Sequence, residues 1–479
     1  MKNMEPAPIL IEESLKDSIV KIYTVFNRPD NYRPWQMAGQ RSSTGSGCII
    51  EGKRILTNAH VVADQTFIQV MRAGEAEKYV ARLETVAHDC DLALLRVDDE
   101  SFFEGAEPIP LGQLPCIQDK VAVYGFPQGG TKLAITEGVV SRVEHLTYAH
   151  SEADLLCCQI DAAINPGSSG GPVISNHRIV GVAFQGCETG QNIGYMVPAP
   201  IIERFLHDIH HGRYGGVPAL GLSCQCMENR AIRKKFGMPP GASGILVNQV
   251  DPKSSAQGVI QADDILVSVD GMHVANDGTV EFRKGERTSF LYAVHRHFIG
   301  DRIPMEILRG GQPLKVEVEL SLKWENMYLV PRHQYEKMPS YYIIGGLVFS
   351  PITANLLAEW ETFEDAPRKL VHYYDKDPEP GRDEVITLIQ VLAHEVNVGY
   401  EELYYTIINT INGVKVRDMR HLVSLFEEAE GDYYTIQNED GVRIVLSRKM
   451  VGATNHEILD CYRIPADRSE DLKTPAQSD

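Results

Sequence analysis

Short apolar runs broken by Gly, Pro, Asn and Asp fill most of this chain, and long stretches of helical period are few. Ser18-Ile19-Val20-Lys21-Ile22-Tyr23-Thr24-Val25 predicts a strand after a short helix that begins near Ile9. Residues 27–44, with Pro29, Pro34 and Trp35, predict a polar loop, and Gly45-Ser46-Gly47-Cys48-Ile49-Ile50 opens the next strand. Val121 to Pro127, Ile135 to Val143, Leu155 to Ile160, Arg178 to Gln185 and Asn192 to Pro198 continue the β pattern, with a Gly129-Gly130 turn after the first. One helix stands out after Pro198. Ile201, Ile202, Phe205, Leu206 and Ile209 form its apolar stripe, Pro200 sits in its first turn and Gly212 stops it. The second half repeats itself. Ile265-Leu266-Val267-Ser268-Val269-Asp270-Gly271-Met272-His273-Val274 aligns with Ile407-Ile408-Asn409-Thr410-Ile411-Asn412-Gly413-Val414-Lys415-Val416. Each is strand, tight turn and strand, followed by a helix and a Gly-Asp pair, Gly300-Asp301 and Gly431-Asp432, so one fold is used twice. The chain reads as mainly β.

The chemistry centres on Asn165-Pro166-Gly167-Ser168-Ser169-Gly170-Gly171-Pro172, a glycine-rich turn after a strand. Glycines let backbone amides approach a ligand closely, and a serine there can attack. A serine hydroxyl needs a base, and a histidine base needs a carboxylate to fix its tautomer. Two upstream stretches supply candidates: Thr57-Asn58-Ala59-His60 and Asp91-Leu92-Ala93-Leu94-Leu95. Three unrelated core or loop residues are the plain alternative. The order His60, Asp91, Ser169, each in a strand–turn context, resembles the chymotrypsin-type double β-barrel. It departs from the Ser-Asp-His order and Gly-x-Ser-x-Gly elbow of small-molecule esterases.

Within that class, Thr57-Asn58-Ala59-His60, Asp91-Leu92-Ala93, Glu137-Gly138-Val139-Val140-Ser141 and Asp161-Ala162-Ala163-Ile164-Asn165 resemble the Do-like (HtrA/Deg) serine endopeptidases. Asn276 to Val280 and Phe282 to Arg287 are most similar to the intracellular subgroup known from plants. Ser168 departs from the Asn or Asp usual before the nucleophile; a small hydroxyl residue is expected to fit. The resemblance implies an ATP-independent endopeptidase acting on unfolded or damaged proteins, without a cofactor. It implies His60 as base, Asp91 as its orienting acid, Ser169 as nucleophile, and the backbone N–H groups of Gly167 and Ser169 as oxyanion hole. Ala163 stands six residues before Ser169, where trypsin-like enzymes carry an acid. With Ile164 and Ala183 it implies an apolar pocket for small or medium aliphatic residues. The family builds trimers or larger homo-oligomers, and Ile9 to Val25 with Tyr32 and Trp35 are the expected contacts.

The repeats resemble PDZ domains, which add a peptide to a sheet edge. Ala219-Leu220-Gly221-Leu222 fits the loop that holds a terminal carboxylate. In the second copy Gly345-Gly346 and the charged insert Asp375 to Glu384 predict a structural domain that binds peptides weakly or not at all. The implied organisation is a chymotrypsin-like protease domain (1–213), a first PDZ domain (214–322), a linker (323–338), a second PDZ-like domain (339–450) and a tail (451–479). Ile458 to Tyr462 in the tail is expected to dock, and the last ten or so residues to be disordered.

Composition narrows the setting. The 479 residues suggest about three domains. A net charge of −19 disfavours nucleic acid and anionic membrane as partners. Nine scattered cysteines without a Cys-x-x-Cys pair point to reduced thiols, Cys90 among them, that pack in the core. Ile9-Leu10-Ile11 is too short for a signal-peptide core and no run reaches about 18 apolar residues, so a soluble cytoplasmic protein is expected. His207, His210 and His211 share one helix end, where they suit the helix dipole; no metal is expected. A binding platform or chaperone built on the PDZ domains is the competing function, and three intact catalytic groups weigh against it as the sole role.

Overall fold

The computed structural model describes residues 13–128, 130–186 and 193–473; residues 1–12, Gly129, residues 187–192 and the last six residues lie outside the described residues, and with them parts of the expected first helix, of the Gly129-Gly130 turn and of the run from Asn192. Two closed antiparallel barrels come first. β1 (Ile19–Pro29), β2 (Met37–Ile50), β3 (Arg54–Thr57), β4 (Gln65–Arg72), β5 (Tyr79–Ala87) and β6 (Leu92–Val97) close in the order β1-β2-β3-β6-β5-β4. β7 (Lys120–Gly125), β8 (Ala134–Thr147), β9 (Asp154–Ile160), β10 (Pro172–Ser175), β11 (Arg178–Gly186) and β12 (Gly194–Pro198) close in the order β10-β11-β12-β9-β8-β7. The continuous run Leu92-Ala93-Leu94-Leu95 follows from burial on both faces. Ala93 and Leu95 fill the first barrel, while Leu92 and Leu94 join the core shared with the second barrel.

Residues 27–44 are not a loop. β1 and β2 continue as a long hairpin, pairing Asn27 with Gln40, with only residues 30–36 as its turn. Met37 to Ser43 are all exposed, so no apolar alternation marked the strand. The hairpin tip lies on the second PDZ domain of its own chain. Trp35 packs edge-on against Tyr341, the Tyr32 carbonyl accepts from Gln390 (2.8 Å), and the Asn31 N–H donates to Glu359 (3.0 Å). Of the two aromatics expected at a surface between subunits, Trp35 is thus packed within the chain, while the Tyr32 side chain stays exposed.

The helix Ala199–His210 leads to the first PDZ domain. Its sheet runs Leu222–Cys226, Ile245–Val250, Ile265–Val269, Arg302–Arg309, Gln312–Glu319, with Leu222–Cys226 as an edge. The hairpin Thr279–Arg283 and Glu286–Ser289 stands on β8, where the His145 N–H donates to Thr288 (3.0 Å). Ala219, Leu322 and Trp324 extend the second barrel's core into this domain.

The second PDZ domain orders its strands Tyr342–Ile344, Leu347–Pro351, Ile386–Val391, Thr406–Ile411, Tyr433–Asn438, Arg443–Ser447. Asp270-Gly271 and Asn412-Gly413, with φ of +50°, +73°, +51° and +83°, turn the two repeats alike. Residues expected as a tail belong to this domain. Arg448–Cys461 is a helix, and Ile458, Leu459, Ile464 and Leu472 are in the core. The charged insert does not crowd Gly345-Gly346. Asp383 pairs with Lys253 of the first PDZ domain (2.8 Å) and Asp375 with Arg332 of the linker (3.1 Å).

Candidate active site

Strand pairing brings His60 and Asp91 together. Thr57 at the end of β3 pairs with Ala93 near the start of β6, so the chain enters one turn and leaves the other side by side. His60 lies in the one-turn helix Ala59–Val62. Asp91 adopts φ +54°, a conformation aspartate tolerates, and its N–H donates to the His88 carbonyl (3.2 Å). The His60 N–H donates to Asp91 Oδ1 (2.9 Å), and His60 Nδ1 lies 2.7 Å from Oδ2. The Asn58 side chain donates to the Asp91 carbonyl (2.8 Å). Asp91 is fully buried, while the His60 side chain is 31% exposed. Burial pushes the Asp91 carboxyl up, but the His60 charge and hydrogen bonds outweigh it and hold the carboxyl below its ordinary range. Burial pushes His60 down, and the Asp91 charge and hydrogen bond overcome this and raise it. An ionised Asp91 only accepts, so Nδ1 carries the proton and Nε2 is left bare.

Ser169 lies on the turn between β9 and β10. Its hydroxyl donates to the Phe184 carbonyl on β11 (3.2 Å). Ser46 of the first barrel shapes this turn. Its N–H donates to the Ser169 carbonyl (2.8 Å), and its Oγ donates to the Gly167 carbonyl (2.7 Å) while accepting from the Phe126 N–H (2.8 Å). The Pro166 carbonyl accepts from the Gln128 N–H (2.7 Å), so the planar peptide aims the Gly167 N–H the opposite way. Among the described residues neither the Gly167 nor the Ser169 N–H has a partner. Gly167 needs to be glycine: φ is +95°, and a Cβ would lie 2.5 Å from the Phe126 carbonyl. Ser168 is buried against Gly125.

The pocket candidates do not share one role. Ile164 packs over Gly194, whose absent Cβ would lie 2.7 Å from Ile164 Cδ1. The Ala163 carbonyl accepts from Thr136 (3.0 Å). Ala183 is fully buried, and its backbone ties the Ser169 turn to β11 through Gly170 (2.8 Å) and Gly171 (2.9 Å). In the first PDZ domain the carbonyls of Ala219, Leu220 and Gly221 are all held by one turn, through Ser255 Oγ, Ser254 Oγ and the Asp251 N–H. The amides of Leu220, Gly221 and Leu222 consequently point away from that turn. The outer edge of Leu222–Cys226 has no strand beside it among the described residues. In the second domain Gly345-Gly346 is a tight turn that pairs Tyr342–Ile344 with Leu347–Pro351, covering the corresponding edge.

Sequence reasoning placed Ser46, Asn58 and Phe184 in their motifs and strands without a role of their own, and did not single out a cluster formed by His88, His150, Tyr335 and Glu336. Ser46 was readable only as a strand residue, and the cluster joins segments with no common motif. Among the described residues, no group of three or more His, Cys, Asp or Glu could hold a metal; His211 Nδ1 contacts the His207 carbonyl (2.8 Å). No helix among them is long and apolar enough to cross a membrane.

A family model described as a trypsin-like peptidase domain matches residues 45–182, and PDZ-domain models match 218–320 and 330–471. Protease Do-like 2, chloroplastic, of Arabidopsis thaliana is 41% identical over 476 residues, covering 98% of this chain and 77% of that protein. Putative protease Do-like 3, mitochondrial, of the same plant is 39% identical over 463 residues, covering 96% and 81%. A solved HtrA-type protease, AlgW, with decapeptide, shares the fold at 22% identity and a TM-score of 0.50, over 65% of this chain and 97% of that one. Two closed barrels, one carrying the His60–Asp91 pair and the other the Ser169 turn, two PDZ domains, and near-full-length likeness to these relatives make the chain a member of the Do-like (HtrA/Deg) family of serine endopeptidases.

Proposed function

We propose that this endopeptidase works by acyl transfer through His60, Asp91 and Ser169. The supporting observation is the His60–Asp91 pair at 2.7 Å, with the serine turn and its two unpartnered amides packed through Gly170 against Thr57 and Asn58, just before His60. Ser169 rotates from the Phe184 carbonyl to His60 Nε2, gives up its proton and attacks the scissile carbonyl. The N–H groups of Gly167 and Ser169 receive the oxyanion, and Asp91 stabilises the imidazolium. His60 then returns the proton to the leaving amine, and water repeats the sequence on the acyl-enzyme. No step calls for ATP or a cofactor. Ser169→Ala is the test: digestion of casein should fall by about 10⁶-fold, as in another serine protease. Near-normal digestion by the folded variant would refute the assignment.

Unfolded or damaged proteins are the substrate class this reading supports, with Ala163 and Ile164 favouring small or medium aliphatic residues before the cut. The Leu220–Leu222 amides and the open edge beside them suit a peptide C-terminus in the first PDZ domain. We retain a trimer-based homo-oligomer from the family likeness, with the exposed Tyr32 still available as a contact and Trp35 packed on Tyr341; light scattering measures it. The organellar names of the two relatives set organelle beside cytoplasm as the compartment, and cell fractionation separates them.

A further inference from the structure

The segment joining the two PDZ domains returns to the protease domain beside His60. The Glu336 N–H donates to Asp64 Oδ1 (2.7 Å), and Glu336 Oε1 accepts from the Asp64 N–H (2.8 Å). The remaining oxygen, Oε2, lies 2.8 Å from His88 Nε2. Asp64 closely follows His60 in the chain, and the His88 carbonyl holds the Asp91 N–H. One carboxylate therefore grips both the turn that carries His60 and the turn that carries Asp91.

Tyr335 adds a second hold. Its ring stacks on His88 (centroids 4.4 Å apart) and on His150 (4.3 Å), and its hydroxyl donates to the His150 carbonyl (2.9 Å). His88 Nδ1 and His150 Nε2 are 2.8 Å apart, and the His150 ring lies 5.9 Å from that of His60. His150 comes from the β8–β9 turn, so Tyr335 spans both barrels. Burial holds the His150 imidazole down at about 3, which leaves it neutral beside the catalytic base. The segment itself is fixed to the second PDZ domain and its approach. Arg332 is buried between the rings of Tyr328 and Tyr374, 3.9 Å from each, and the Gln334 backbone makes two hydrogen bonds to Asn355 (2.8 and 2.7 Å).

We propose that Tyr335 and Glu336 are positioning residues for the His60–Asp91 pair, so that the seating of the second PDZ domain sets the turnover number. The inference rests on the triad assignment above. A base held off its line to the serine loses rate steeply, because proton transfer needs close, aligned groups.

The test uses the full chain with a short chromogenic peptide, reading kcat, KM, the rate of Ser169 labelling by a fluorophosphonate, and folded fraction by circular dichroism. Tyr335→Ala and Glu336→Ala should each lower kcat by at least about tenfold, with KM within about twofold and labelling slowed in proportion. Tyr335→Phe, which keeps the stacking, should stay within about threefold of the parent, and Lys337→Ala should match it. Unchanged kcat in both alanine variants, a loss explained by unfolded protein, or a rise in KM at constant kcat would overturn the proposal. Parent labelling that vanishes in Ser169→Ala secures the triad independently, so unchanged alanine variants would sink the positioning role alone.

Discussion

Replacing Asp91 by asparagine removes one buried charge and leaves the shape. Asp91 accepts two hydrogen bonds from His60, from the backbone N–H (2.9 Å) and from Nδ1–H (2.7 Å). Asparagine offers one acceptor and one NH2. With its oxygen on the backbone N–H, the NH2 faces Nδ1, and the imidazole must move its proton to Nε2, where it blocks the base. The flipped amide restores the tautomer but sets two donors face to face in a fully buried site, at a cost of about 1–3 kcal/mol. The imidazolium formed in the transition state also loses a charge-assisted hydrogen bond, worth about 1.5–3 kcal/mol. The two losses together reach about 2.5–6 kcal/mol, or roughly 10²–10⁴-fold in rate at about 1.36 kcal/mol per tenfold. The pH profile adds a sign. Asp91 raises His60 against the opposing pull of burial. Without the charge burial wins, His60 titrates lower, and the acid limb of kcat/KM moves to lower pH. Chromogenic-peptide kinetics from about pH 5 to pH 9 read both effects. A loss under about tenfold, or an acid limb shifted upward, would refute the reasoning.

Gly170→Ala would place a Cβ 2.1 Å from the Ser46 carbonyl oxygen and 2.3 Å from Thr57 Oγ1 at φ +83°. We expect at least about 3 kcal/mol of destabilisation in urea, and a parental midpoint would contradict the packing. Mass-spectrometric mapping of casein fragments should show cuts after small or medium aliphatic residues, and a majority after Lys or Arg would count against the pocket. The Ser169→Ala chain should bind a C-terminal peptide as free acid at least about tenfold tighter than as amide, and equal affinity would remove the carboxylate loop. Asp251 beside that loop is pushed up to about 6 by burial and then by Asp377. Its charge disappears as pH falls, so the preference for the acid should widen from about pH 7 to about pH 5.

What the sequence reveals here is what neighbouring residues encode. Thr57 to His60, Asp91 to Leu95 and Gly167 to Gly171 each carry their strand–turn context within a few positions. The paired Asp270-Gly271 and Asn412-Gly413 turns do the same for the PDZ repeat. Ser46 acts across two barrels on a turn far along the chain, and nothing near it in sequence says so. The β1–β2 hairpin escaped because Arg41, Ser42 and Ser43 are exposed and carry no alternation. Gly345-Gly346 resembles a ligand loop in composition, yet positive φ at both residues makes it a hairpin turn. Ile458, Leu459 and Leu472 belong to a core whose other members precede them by many residues, so their segment reads as a tail.

The covered edge of the second PDZ domain has a consequence in effective concentration. A peptide seeking that edge competes with Tyr342–Ile344, a strand tethered by only the two residues Gly345 and Gly346. Even short flexible tethers present a partner at an effective concentration on the order of millimolar, and a tight turn exceeds that. The occupant is also fastened on its far side, where the Ile343 N–H donates to the Asp467 carbonyl (2.7 Å). Displacing it means unpairing the C-terminal segment as well. At this edge the chain supplies its own strand, so any peptide joining the sheet here would first have to free Tyr342–Ile344 from both neighbours.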